Sequence, residues 1–156
     1  MTQPELLGLI DLIRTSKQCI IHEPATDQEI DGWTRSLKPI KVPGAYVALI
    51  REFGFIEIGS STIYGMGSSS EPNGANVRKI TTFERVMASP QLRSEFIPIM
   101  ADGMGNHYCL DTSRVSRDDC SVVFWQHDHP KGEMQMVKLV NKSFISWLVG
   151  LIKENE

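Results

Sequence analysis

Long apolar runs, paired cysteines and a basic stripe are all missing from this chain. A bilayer-spanning helix needs roughly 20 consecutive apolar residues, and no stretch supplies them. Near the N-terminus, Asp11 and Arg14 interrupt the apolar residues and no basic segment precedes them, so a secretory signal is not expected. Cysteine is scarce: Cys19, Cys109 and Cys120 are odd in number and form no Cys-x-x-Cys. A disulfide framework and a zinc ribbon are thereby excluded, and a reducing cytoplasm is the expected setting. Excess positive charge is absent too. Sixteen Lys and Arg against 19 Asp and Glu leave a net charge of −3 and a pI near 5.8. That argues against direct nucleic-acid binding. It suits a protein that meets basic partners, and it is also ordinary solubility. No internal repeat or second domain is visible, and 156 residues suffice to bury one core without crosslinks.

What is present is organised around residues 96–112. Ile97 and Ile99 alternate with Pro98 and Met100, which reads as a strand. Asp102-Gly103-Met104-Gly105-Asn106 then supplies residues that tolerate positive φ and reverse the chain. Alternation resumes with Tyr108 and Leu110 on one face and His107, Cys109 and Asp111 on the other. Such a hairpin sets register, so it is placed at the centre of an antiparallel sheet.

The other segments fall around it. A helix is predicted from Pro4 to Lys17, with Leu6, Leu9, Ile10 and Ile13 on one stripe that Leu7 and Leu12 widen. Cys19 to His22 is an extended link. Thr26-x-x-Glu29 is a capping box opening a second helix with Ile30, Trp33 and Leu37 on one face. A third helix follows Pro43, buries Tyr46, Val47, Leu49, Ile50 and Phe53, and stops at Gly54. Residues 55–58 and 62–64 form a hairpin, and the Gly, Ser and Asn of 65–76 read as an exposed loop. Thr81-x-x-Glu84 opens a short helical piece with Phe83, Val86 and Met87 inward. Residues 114–121 read as a charged loop, 122–128 and 134–140 as strands. A last helix, capped by Asn141 or Ser143, buries Phe144, Trp147, Leu148, Leu151 and Ile152. The sum is a single α+β domain, helices packed on an antiparallel twisted sheet.

Catalytic and metal chemistry find little footing. His127 and His129 flank Asp128 and would point to the same side of a strand, as two metal ligands or a small metal-dependent hydrolase would require. Pro130 ends that strand, and no His-Glu-x-x-His or cysteine pair completes a ligand set, so a surface cluster is the simpler reading. The 102–106 segment lacks a calcium loop's carboxylates and a phosphate loop's following helix, and is read as a tight turn. Ser68 to Ser70 has no Gly-x-Ser-x-Gly context. Cys109, inside a strand with no base marked beside it, is read as structural. Trp33 and Trp147 lie on apolar stripes. Of Phe124 and Trp125 one faces the core, and the other is free to act as an exposed aromatic anchor. No metal, cofactor or catalytic residue is expected.

Several blocks resemble the SUKH superfamily, which takes in fungal cell-wall-assembly regulators of the Smi/Knr type and many bacterial toxin-immunity proteins. Thr26-x-x-Glu29-Ile30 looks like its early capped helix. Val42-Pro43-x-x-Tyr46, with Leu49-Ile50 and Phe53-Gly54, looks like its Leu-Pro-x-x-Tyr helix, with Val in place of Leu and Phe-Gly-Phe in place of Asn-Gly. Ile97-Pro98-Ile99, Ala101-Asp102-Gly103-x-Gly105-Asn106 and Tyr108-x-Leu110-Asp111 look like its most recognisable hairpin. Val123-Phe124-Trp125-x-His127-Asp128 and Ser143-Phe144-x-x-Trp147-Leu148 look like the strand and helix that close the domain. On that resemblance residues 26–156 are the family core, and residues 1–25 a variable helix and link.

The resemblance implies a non-enzymatic binding protein, an immunity protein held in the cytoplasm to neutralise a cognate toxin, often a nuclease. An intracellular scaffold or regulator is the alternative. Neither nucleic acid nor membrane is an expected partner, and the chain is expected to be a monomer or weak homodimer. Carboxylates beside the sheet would steer a basic toxin and pair with its cations. The candidate partner-binding residues are Asp102, Asn106, Trp125, His127, Asp128, Asp118 and Asp119; Asp111 and Glu133 are further carboxylates, and Arg114, Arg117 and Lys131 dilute the acidity.

Overall fold

Amphipathic helices and short β-prone runs in this order have to bury one face each, and they do so around two antiparallel sheets. The computed structural model describes residues 4–88, 91–126 and 136–156. In chain order the helices are α1 (Pro4–Thr15), α2 (Asp27–Ser36), α3 (Gly44–Phe53), α4 (Val77–Thr82) and α5 (Phe144–Glu154). A three-stranded sheet of β1 (Cys19–Ile21), β2 (Ile56–Ile58) and β3 (Ser61–Ile63) runs in the order β1-β2-β3. A four-stranded sheet of β4 (Phe96–Ala101), β5 (His107–Ser116), β6 (Asp119–Gln126) and β7 (Met136–Asn141) runs β4-β5-β6-β7. The fold is α+β, as expected.

The two sheets meet at a bulge. β4 shifts register between Pro98 and Met100, and the freed Ile99 carbonyl accepts a hydrogen bond from Tyr64 N at 2.8 Å. α3 locks the junction from beneath. The Tyr46 hydroxyl donates to the Tyr64 carbonyl at 2.5 Å, and its ring meets Trp33 and Phe144 edge-on. These residues belong to the main core, with Leu9, Ile13, Ile30, Phe53, Phe55, Ile97, Leu110, Val122 and Leu148. A smaller cluster, Leu92, Phe96, Cys109, Val123 and Trp125, lies on the opposite face of the larger sheet. The alternation read in β5 is realised, Leu110 facing the main core and Cys109 the smaller one.

Capping accounts for most helix starts. Thr26 Oγ1 accepts from Glu29 N and Glu29 Oε1 accepts from Thr26 N, each at 3.1 Å, which is the capping box read in the sequence. α3 ends at Gly54, whose φ is 73° and whose missing Cβ leaves room for the Glu23 carbonyl. α5 starts at Ser143, whose Oγ accepts from Ser146 N at 3.1 Å.

Several expectations change. Cys19–Ile21 is not merely a link but the edge strand of the smaller sheet. Leu7 projects outward rather than widening the α1 stripe. Residues 65–76 are not simply exposed: Met66, Ser70 and Ala75 are buried, and Gly65 bridges Asn76 in parallel. Residues 114–121 are not a loop. β5 runs on to Ser116 and β6 begins at Asp119, with Arg117 (φ 51°) and Asp118 (φ 64°) as a two-residue turn. Finally, the helix read as starting at Thr81 starts at Val77. Asn76 Oδ1 accepts from Lys79 N at 3.1 Å, while the Thr81 hydroxyl donates to the Val77 carbonyl within the helix.

Candidate functional site

The turn between β4 and β5 is held by one side chain. Asp102 Oδ1 accepts from Met104 N at 2.7 Å and Asn106 N at 3.0 Å, and Oδ2 accepts from Asn106 Nδ2 at 2.9 Å. Gly103 and Gly105 take φ values of 86° and 90°, which L side chains rarely adopt. Partial burial pushes the Asp102 carboxyl up, but the hydrogen bonds from Asn106 and the turn amides outweigh it, and the pKa settles below its usual value. The carboxylate stays ionised beside a cleft of about 440 Å³ lined by Ser60, Ser61, Thr62, Tyr64, Asn73 and Asp102, with Gly74, Ala101 and Gly103 completing the wall.

The other expected partner residues separate. Trp125 comes to the same end of the sheet, opposite His107 in the β5–β6 ladder. It is 0 % exposed and its ring lies over that of His107, so it is no exposed anchor. Phe124 is half-buried against Tyr108, 5.0 Å between ring centroids, which settles the choice between the two aromatics differently from expectation: both serve packing. His127 and Asp128, with His129, lie outside the described residues. Asp118 and Asp119 stand at the far end of β5, a 10-residue strand and so about 30 Å away. Asp118 packs over Gly44 at the start of α3, and its carbonyl accepts from Ala45 N at 2.8 Å. Asp119 accepts from Ser143 Oγ at 2.5 Å and from Phe144 N at 2.9 Å, which makes it the anionic cap of α5. The structure therefore groups Asp102, Asn106 and the end of β6, and places Asp118 beside the start of α3, through its backbone carbonyl, and the Asp119 carboxylate at the start of α5.

A second surface was not foreseen. After α4 the chain widens into a five-residue π-helical turn, Phe83–Met87. Phe83 is 55 % exposed, Val86 62 % and Met87 72 %. They were expected inward. The physical reason for the difference is the inward stripe that begins at Val77. Counting from Val77, positions 80, 81 and 84 face the protein, and 83, 86 and 87 face out. Glu84 accordingly turns in toward His107, 3.9 Å from Nδ1. The readable signal was Asn76, a favoured N-cap residue just ahead of Val77. Phe83, Met87 and the buried Met66 floor a cleft of about 770 Å³, rimmed by Glu29, Glu71, Arg78 and Lys79. π-helical turns and exposed apolar clusters both concentrate at functional surfaces.

The described cysteines and the 68–70 segment are held in structural contacts. Burial pushes the Cys109 thiol well up and the Cys120 thiol to about 12, so neither supplies a thiolate. Ser70 is buried and donates to the Gly67 carbonyl, and Ser68 donates to Glu23. Among the described residues no group of three His, Cys, Asp or Glu could hold a metal ion, and no helix is long and apolar enough to cross a membrane. A third cleft, of about 480 Å³, carries Arg35, Lys38 and Lys41 at the C-terminal end of α2, where the helix dipole favours cations.

No curated protein matches the chain. A family model described as "SUKH_5: SMI1-KNR4 cell-wall" matches residues 7–153, from within α1 almost to the end of α5. With the capped α2, the Pro43–Tyr46 helix and the Asp102 hairpin all in place, the chain belongs to the SUKH (SMI1-KNR4) family of non-catalytic binding modules.

Proposed function

We propose that this protein is an immunity protein: it binds a cognate protein toxin, such as a nuclease, stoichiometrically in the cytoplasm and holds it inactive. The observation that carries the binding reading is the 83–87 turn. Three large apolar side chains, each more than half exposed, sit together beside an open cleft. Aromatic and Met side chains in such a position form the centre of protein interfaces. The neutralising role is supported by the likeness to the family's bacterial members. The alternative, an intracellular regulator, has the family's cell-wall description in its favour. In either role the chain acts as a monomer or weak homodimer, and residues 26–156 form the family core behind a variable N-terminal segment.

Co-expression with the product of the neighbouring gene tests this. An immunity protein protects the cell and co-purifies with that product. Replacing Phe83 and Met87 by Ser weakens the complex by about tenfold or more while leaving Tm unchanged, because the residues touch little of this chain's own core. If the chain neither protects cells nor co-purifies at low micromolar concentration, the immunity reading fails.

A further inference from the structure

We infer that the cleft between the β2–β3 turn, the loop around Asn73 and the β4–β5 turn receives an arginine side chain from the protein this module binds. The inference rests on the binding reading above and names the partner chemistry that one surface would select. The lining is rich in acceptors. Ser60, Ser61 and Thr62 offer hydroxyls, Asn73 an amide and Asp102 a carboxylate, and among the described residues no Lys or Arg lines the space. A guanidinium has five donors and no acceptor, so it complements such a wall.

Each group has capacity to spare. Asn73 donates through Nδ2 to the Ser69 carbonyl, which leaves Oδ1 as an acceptor. Asp102 commits Oδ1 to two amides and Oδ2 to Asn106 alone, and a carboxylate oxygen accepts two hydrogen bonds. Gly74 and Gly103 keep the approach open: a Cβ at either would meet no atom within 4 Å. The cleft, about 440 Å³, is roomy for a planar fork held by a charge-assisted bond at one end. A saccharide is the competing occupant of a hydroxyl-lined cleft. It usually lies on an exposed aromatic face, and Tyr64, the aromatic ring here, is 8 % exposed and turned against His107.

Amide chemical shifts of the full chain, titrated with N-acetyl-arginine methylamide, test the inference without any toxin. Saturable shifts are expected at Ser61, Thr62, Gly74 and Gly103. The citrulline counterpart, which keeps the shape and loses the charge, should bind roughly tenfold more weakly, since charge-assisted hydrogen bonds exceed neutral ones. Ser61→Lys places a competing cation at the cleft without touching the Asp102 turn, and should abolish the shifts while the rest of the spectrum stays in place. Asp102→Asn should weaken them. Equal binding of the citrulline compound, shifts with cellotriose in place of arginine, no shifts at all, or shifts that survive Ser61→Lys would each overturn the inference. Those failures leave the co-expression test of the immunity role untouched, and failure of that test with arginine binding intact would remove the role and keep the cleft.

Discussion

Asp102 joins fold and candidate site in a single side chain. Its carboxylate closes the β4–β5 turn through three hydrogen bonds and also lines the polar cleft. Asp102→Ala should lower stability by about 1–2 kcal/mol, because the turn amides lose a charged acceptor. The effect depends on pH with a definite sign. The folded pKa lies below the ordinary 3.8, so the carboxylate's contribution is complete above that value and disappears as pH falls through the folded pKa. Thermal unfolding of wild type and Asp102→Ala, followed from neutral pH down through the acid range below 3.8, should therefore converge on acidification. A gap that stays constant would show that the ionised form is not what the turn holds. The thiols give a second test at this scale. Cys19 is partly exposed, whereas Cys109 and Cys120 are buried, and burial raises all three pKa values. Native labelling with iodoacetamide should modify Cys19 first, faster as pH rises, and reach the others only in denaturant. Mass spectrometry of the labelled peptides reads the order.

At the scale of elements, helix ends decide most of what differs from the sequence reading. Three of the caps use local residues: Thr26 with Glu29, Asn76 with Lys79, Ser143 with Ser146. The first is legible because both halves of the box are present. The second was obscured by a false box at Thr81-x-x-Glu84, which hid the inward stripe of Val77, Ile80 and Thr81; Phe83, Val86 and Met87, expected as core, lie on another side of the helix. α5 has a further cap that no local pattern records. Asp119 reaches it across 24 and 25 residues to Ser143 Oγ and Phe144 N. Asp119→Ala should cost about 1–2 kcal/mol, more than Ser143→Ala, since it removes both a hydrogen-bond acceptor and the negative charge at the helix N-terminus. Asp119→Asn should recover part of the loss. Urea unfolding of the three variants gives the order, and equal stability of Asp119→Ala and wild type would sink the capping role.

At the scale of the molecule, the two sheets share one seam at Tyr64 and Ile99. Tyr46 lies under it, fully buried, with burial driving its hydroxyl pKa far up and its proton donated to the Tyr64 carbonyl. Tyr46→Phe should destabilise the whole domain by about 1–2 kcal/mol by leaving that carbonyl without its donor. The transition should stay cooperative, because the ring still packs between Trp33 and Phe144. Scanning calorimetry would show a lowered Tm with a single peak; two peaks would mean that the sheets unfold separately. The seam also positions the cleft, since Tyr64 and Ala101 bring the smaller sheet's turn beside the hairpin turn.

The sequence by itself determined the fold class, most of the elements, the Thr26 box, the stop at Gly54, the hairpin turn and the two faces of β5. Each of these depends on neighbours a few residues apart: helical or strand periodicity, a cap, a residue that accepts positive φ. The family could be read from the same local blocks. Tertiary structure alone decided the rest. It buried Trp125, because an aromatic in a strand takes its face from what covers the sheet, not from its own neighbours. It assigned Asp118 and Asp119 to helix N-termini some 30 Å from Asp102, because β5 is long and its hairpin folds back onto α3 and α5. It drew Ser60–Thr62, Asn73 and Asp102 around one cleft from three separate segments, and no spacing in a linear chain encodes a meeting of that kind.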